Sequence, residues 1–144
     1  MQKTVSYYLT ILYKDFFAHT SEKLQEINLN YGSVPFIIYV GKHPQCTPAE
    51  LTKNLHADWG HSQRMLNRLV KDGFLTKEKN PETDRTYHLN LTVNGELAFK
   101  ICHDVFYSWD NKILKNFTED EKTLLLEILE KLMLEVRHTP DMQD

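Results

Sequence analysis

The chain has 144 residues, two cysteines, a hydrophobic share of 41% and a net charge of −3, which suits one domain with a substantial core. It opens without a basic segment followed by an apolar run, and no apolar stretch approaches the ~20 residues of a membrane span, so neither a secretory signal nor a membrane helix is expected. Cys46 and Cys102 make no disulfide framework, which points to a reducing cytoplasm, and the negative total, taken whole, speaks against nucleic acid.

Residues 3 to 28 read as a long helix, because Val5, Tyr8, Leu12, Phe16, Leu24 and Ile27 recur at helical intervals and Ile11 and Phe17 widen the stripe. Asn28 to Gly32 ends it. Ser33 can cap the next helix, Val34 to His43, whose Val34, Phe36, Ile37, Ile38, Tyr39 and Val40 predict a central, buried element closed by Pro44.

The next stretch carries the function. Thr47-Pro48-Ala49-Glu50 is a capping box with proline where its missing N–H costs nothing. It starts a short helix whose large apolar residues are Leu51 and Leu55. Asp58 can cap a second helix, Trp59 to Lys71. Leu66, Leu69 and Val70 mark its inward side, with Ser62 one turn before Leu66. The opposite face carries Gly60, His61, Gln63, Arg64, Asn67, Arg68 and Lys71, all donors or small residues and no carboxylate. Gly73 stops the helix. Two strands follow, Phe74 to Lys79 and Arg85 to Leu91. Tyr87, Leu89 and Leu91 share one face of the second, Thr86, His88 and Asn90 the other, and the polar segment 80–84 forms the tip. Helix, turn, second helix and hairpin make a winged helix-turn-helix, and its second helix has the size and chemistry to enter a major groove.

Charge is distributed accordingly. Between Lys53 and His88 lie seven basic residues (53, 64, 68, 71, 77, 79 and 85) and five acidic ones, a balance of +2, with His56, His61 and His88 in addition; the remainder carries −5. Positive charge gathers where phosphate binding requires it. A merely solvated charged face is the plainer reading of the counts alone.

Thr92 can cap a long helix to about Asn116, with Leu97, Ile101, Val105, Trp109, Ile113 and Phe117 on one face. Thr118-Glu119-Asp120-Glu121 is another capping box, with three acids at the positive end of a helix that carries Leu124, Leu125, Ile128, Leu129, Leu132, Met133 and Val136. It ends before Pro140, and residues 139–144 read as a disordered tail. The apolar stripes of the first and last two helices are broader than the winged unit can cover, which predicts a two-fold homodimer with interdigitating terminal helices; the alternative is a monomer with these helices folded on itself. The fold class is mainly α with a small β-hairpin wing (α+β). The predicted organisation is a single domain over 1–144, with the winged helix-turn-helix at 33–92 and dimerisation helices at 1–32 and 93–138.

In Glu50-Leu51, Leu55, Arg64, Leu69, Gly73-Phe74-Leu75, Asn80-Pro81-Glu82, Arg85 and Leu91-Thr92 followed by Gly95, the chain resembles the MarR family of bacterial transcriptional regulators. That family's pattern runs E-L-A, T-V-T-R, R-L-E, G-L-V, D-R-R and L-T-x-x-G. The match covers about a third of the chain, and the flanking helices agree in order and length. One departure stands in the wing: the family's Asp-x-Arg is here Thr83-Asp84-Arg85, with the acid moved by one place. The resemblance implies a repressor that occupies a palindromic double-stranded operator as a dimer and releases it when a small, often phenolic, effector binds. It also implies that Arg85 enters the minor groove. Effectors in the family sit between the reading unit and the dimerisation helices, where Tyr13, Phe17, Tyr39, His43 and Trp109 could line a site.

The expected DNA contacts are therefore Thr47, Trp59, Gly60, His61, Ser62, Gln63, Arg64, Asn67, Arg68 and Lys71, with Lys77, Lys79 and Arg85 from the wing. Trp59 could meet sugar or a thymine methyl, or pack as a hydrophobic staple. Cys46 lies just before a helix start and close to Lys42 and His43, a setting that favours thiolate and a redox role; the plain alternative is an inert loop cysteine. Cys102 is expected to pack within its helix. No glycine-rich phosphate loop, G-x-S-x-G, H-E-x-x-H or C-x-x-C is present and the seven histidines are scattered, so the sequence predicts no enzyme, metal or cofactor. The rival classes are a redox-sensing regulator on the same scaffold and a winged-helix module that binds protein instead of DNA.

Overall fold

Side-chain oxygens set most of the helix starts in the computed structural model, which describes residues 3–79 and 85–137. Thr4 accepts from the Tyr7 amide to open α1, Val5–Gln25. Thr47 and Glu50 form the expected capping box of α3, Pro48–Asn54. Asp58 takes the His61 amide at 3.0 Å at the head of α4, Trp59–Lys71. Thr92 takes the Gly95 amide at 3.0 Å at the head of α5, Val93–Ile113. Thr118 and Glu121 close a second box before α6, Glu119–Val136, and their hydrogen bonds hold the Glu121 carboxyl below the usual range. Each such cap contributes on the order of 1 kcal/mol.

The sequence expectation failed at one cap. Ser33 does not cap α2, Val34–Lys42. Asn30 instead takes the Ser33 amide at 3.1 Å and starts a single 3₁₀ turn, Tyr31–Ser33, while the buried Ser33 hydroxyl donates back to the Asn30 carbonyl at 2.7 Å. The strands are also shorter than the alternation suggested. β1 is Leu75–Glu78 and β2 is His88–Leu91, antiparallel, with Leu75 opposite Leu91 and Lys77 opposite Leu89. The tip at 80–84 and the tail at 139–144 lie outside the described residues.

The chain divides into two compact units, the first running to Tyr107 and the second from Ser108. The core of the first gathers one side of every element: Leu24, Phe36, Ile37 and Val40, then Leu51, then Leu66 and Leu69, then Leu75 and Leu89, then Ala98, Cys102 and Val105. Burying each of those leucines is worth roughly 1.5–3 kcal/mol. Cys102 packs within α5 as expected, and burial pushes its thiol up to about 12.

One junction fixes where the hairpin meets the helices. Gly73 takes a positive φ of 86° that ends α4, as glycine does most readily. The Thr92 hydroxyl donates to the Gly73 carbonyl at 2.6 Å, and the Thr92 amide donates to the Phe74 carbonyl at 3.1 Å. A Cβ on Gly95 would collide with that same Phe74 oxygen.

The α1 stripe is present but mostly uncovered. Thr20 and Leu24 are its buried residues, whereas Val5, Tyr8, Ile11, Leu12 and Phe17 are exposed. The second unit holds the last turn of α5 and all of α6, in which none of the expected apolar residues is buried. No helix among the described residues is long and apolar enough to cross a membrane.

Replacing Gly95 with Ala should lower stability by about 1–3 kcal/mol, because backbone must move to admit the methyl group. Thermal unfolding of the two proteins by circular dichroism checks this. An unchanged midpoint would mean that the junction yields freely.

Candidate nucleic-acid interface

The helix-turn-helix places α4 by burying one of its sides. Ser62, Leu66 and Leu69 point inward, and Met65 and Val70 pack against the core from its edges. His56, in the turn between α3 and α4, takes a left-handed φ of 51° that lets the chain reverse within a few residues. Outward from α4 stand His61, Arg64, Asn67, Arg68 and Lys71, all exposed. Arg68 lies 3.8 Å from the Asp72 carboxylate one turn on, an exposed pair that water screens well and a phosphate could displace. Gly60 is half-buried beside Asp58 and Arg64. Trp59 is 55% exposed, so much of the indole remains open at the head of the helix.

Two of the expected contacts on α4 do not lie on its exposed side. Ser62 is fully buried, because its position one turn before Leu66 turns it into the core, and its hydroxyl lacks a protein partner. Gln63 is half-buried. Its Oε1 accepts from Lys77 Nζ at 3.4 Å, and its Nε2 is closed off from solvent without a partner. Thr47 is half-buried, and its hydroxyl oxygen accepts the Glu50 amide at the α3 cap.

The wing presents cations around an aromatic ring. Lys77 Nζ lies 4.9 Å and Lys79 Nζ 5.0 Å from the centre of the exposed Tyr87 ring. Arg85 is exposed next to the tip; Asp84, the shifted acid, lies outside the described residues. Sequence reasoning gave Tyr87 no part in this, although the strand pairing that sets Lys77 opposite Leu89 brings Lys79 opposite Tyr87 one step further out.

The foot of the wing is clasped by the segment before α3. Leu89 donates to the Cys46 carbonyl at 2.8 Å, and the Gln45 amide donates to the Leu89 carbonyl and to Asn90 Oδ1, each at 3.0 Å. A His88 ring nitrogen lies 2.9 Å from the Gln45 carbonyl. This clasp encloses Cys46. The residue is buried at 3% exposure, and burial first, with the Glu50 carboxylate second, pushes its thiol up to about 11. The helix start and the nearby cations do not outweigh that desolvation, so the thiol stays protonated at neutral pH.

The aromatic residues considered for an effector fall into two pairs and one outlier. Tyr13 and Phe17 lie 6.1 Å apart, and both surround Tyr31, at 6.0 and 5.1 Å. Phe16 joins them and reaches Phe106 at 5.3 Å. Tyr31 was missed in the sequence because it sits in a turn outside any helical stripe; burial, then the neighbouring Tyr13, raise its hydroxyl pKa. Tyr39 and His43 stack at 4.2 Å, and Asn54 donates to the Tyr39 hydroxyl at 2.8 Å. Trp109 belongs to the second unit.

A buried helix-turn-helix spine, an outward helix face of donors and a two-stranded basic wing define a winged helix-turn-helix protein. No protein-family model matches the chain. It is 36% identical over 132 residues to the HTH-type transcriptional regulator BilQ of Clostridium symbiosum (strain WAL-14163), covering 92% of each protein. It is 36% identical over 88 residues to the multiple antibiotic resistance protein MarR of Escherichia coli (strain K12), covering 60% of this chain and 61% of that one. A crystal structure of an E. coli MarR variant complexed with operator DNA superposes with a TM-score of 0.75 at 26% identity, covering 89% of this chain and 92% of that one. The chain belongs to the MarR family of helix-turn-helix transcriptional regulators.

With its thiol pushed up to about 11, Cys46 should react slowly with iodoacetamide at pH 7.5 in the native protein and rapidly in urea. Mass spectrometry after timed quenching measures both rates. Fast native alkylation would show that Cys46 is open and ionised after all.

Proposed function

We propose that the protein is a homodimeric repressor that binds a palindromic double-stranded DNA operator in the cytoplasm and acts by occupancy, not catalysis. The observation that carries this reading is the sidedness of α4. Its buried side carries Leu66 and Leu69 with Ser62, and its exposed side offers His61, Arg64, Asn67, Arg68 and Lys71 without a carboxylate. Arg64 and Asn67 can make paired hydrogen bonds to base edges, arginine to guanine and asparagine to adenine. His61, Arg68 and Lys71 lie along the same face toward bases or phosphates, with Trp59, Gly60 and Thr47 at the helix starts. Lys79 and Arg85 belong to the wing, and Arg85 is assigned to the minor groove, where narrow A·T-rich stretches concentrate negative potential. MarR bound to operator DNA gives the precedent for the arrangement.

Dimerisation is supported by the apolar faces left open on α1 and α6, since scattered exposed leucines are ordinary but continuous helical stripes are not. Two α4 helices related by a two-fold axis would read half-sites ~10 base pairs apart, centre to centre. A small aromatic effector is the proposed trigger, and the Tyr13, Phe17 and Tyr31 cluster and the Tyr39–His43 pair are the aromatic surfaces offered to it.

Asn67→Ala should relax base preference at one position in each half-site, by roughly 1–3 kcal/mol, whereas Lys79→Ala should weaken all sequences alike and reduce the salt slope by about one. Titrations of matched and scrambled duplexes at several salt concentrations separate the two. Equal losses on both duplexes for Asn67→Ala would remove base reading from that face.

Leu129→Glu, on the open face of α6, should yield a 17 kDa particle in light scattering and abolish operator binding, because a dimer seam there would bury an unpaired charge. A native protein that already scatters as a monomer at micromolar concentration would overturn the dimer.

A further inference from the structure

A run of side chains joins α4 to the wing. Gln63 on α4 accepts from Lys77 on β1 at 3.4 Å. The Lys77 ammonium also stands 4.9 Å from the centre of the Tyr87 ring, and Lys79 approaches the same ring at 5.0 Å. Gln63 Nε2 is closed off from solvent. A glutamine that reads adenine must aim both its oxygen and its nitrogen at the base edge. Here the oxygen is engaged by the wing and the nitrogen is enclosed, so a base could meet Gln63 only after the contact with Lys77 broke.

The electrostatics favour keeping that contact. Two ammonium groups drawn to one aromatic ring repel each other, and the ring attracts each by about 0.5–1 kcal/mol at an exposed site. An amide oxygen beside one of them holds it toward α4 and leaves the other free for the solvent side. Hydrogen bonds through Cys46, Gln45 and Thr92 also tie the hairpin to the rest of the fold. Lys77 pairs with Leu89, the residue that this clasp holds, so the Gln63–Lys77 contact ties the opposite strand, at the same level, to the recognition helix.

Resting on the DNA-binding reading above, we propose that Gln63 is a positioning residue and not a base reader: through Lys77 and Tyr87 it holds the wing at a fixed offset from α4. It thereby sets the spacing between the major-groove and flanking minor-groove contacts of each half-site. This makes Gln63, Lys77 and Tyr87 determinants of half-site geometry, and leaves base identity to Arg64 and Asn67.

The test uses the full chain, first without DNA. Gln63→Met keeps the volume and removes both polar atoms, Lys77→Met removes the ammonium, and Gln63→Glu retains an acceptor. Hydrogen exchange of the β1 and β2 amides should quicken roughly threefold to tenfold in Gln63→Met and in Lys77→Met, no further in the double variant, and not in Gln63→Glu. With operator DNA, hydroxyl-radical footprints of Gln63→Met should lose protection in the flanking minor groove while base preference within the half-site stays the same. Unchanged exchange in both single variants would overturn the proposal. So would a Gln63→Met protein that keeps its flanking protection but relaxes preference at one base pair. If the native protein bound every duplex equally, the DNA reading would fall, and the exchange result would still decide the tie.

Discussion

The direction in which α4 faces is the constraint on which the rest depends. Leu66 and Leu69 are fully buried against α2, α3 and the hairpin, together with Leu51, Leu75 and Leu89. Rotating α4 by one residue would withdraw two leucines from that core, at 2–5 kcal/mol each by the measure of large-to-small changes, and would bury a cation in their place. The outward display of Arg64, Asn67 and Lys71 is thus a by-product of core packing. The hydrophobic contact fixes the orientation, and the polar residues only have to occupy what remains. The Gly73–Thr92–Gly95 junction then sets the hairpin against the end of the same helix, so reading helix and wing are referred to one core.

Much of this was legible in the sequence because the signals are local. Capping residues at Thr47, Asp58, Thr92 and Thr118 depend on three or four consecutive positions, and each was found where expected. The stripe of α4 and the Gly73 stop are likewise local. Ser33 misled because its hydroxyl donates back to the Asn30 carbonyl across the 3₁₀ turn instead of accepting an amide of α2, and only the backbone path through that turn decides this. Of the site, the outward residues of α4 were readable from periodicity alone. Ser62 was readable too: the same periodicity places it inward, and it was nonetheless counted among the DNA contacts.

What could not be read were encounters between distant segments. Gln63 has the chemistry of a base reader, and nothing local reveals that Lys77, fourteen residues later, reaches its amide. Cys46 has the local marks of an activated thiol, but the strand that covers it comes from residues 88 to 90. Burial by a remote segment reverses the sign of a pKa argument made from neighbours. Tyr31 at the centre of an aromatic cluster is a third case, since a turn residue acquires its partners from α1, more than a dozen residues earlier in the chain.

The open face of α6 has a thermodynamic meaning as well as a geometric one. An isolated helix of its length is marginal in water, and most helices owe their order to the burial of an apolar face. None of its residues is fully buried, even though its capping box is complete. Its order is then coupled to whatever covers that face. Where the covering surface is a second copy, the folding of α6 and the association of subunits are one equilibrium. The melting temperature should climb with protein concentration, and dilution alone would unfold the helix while leaving the winged unit intact.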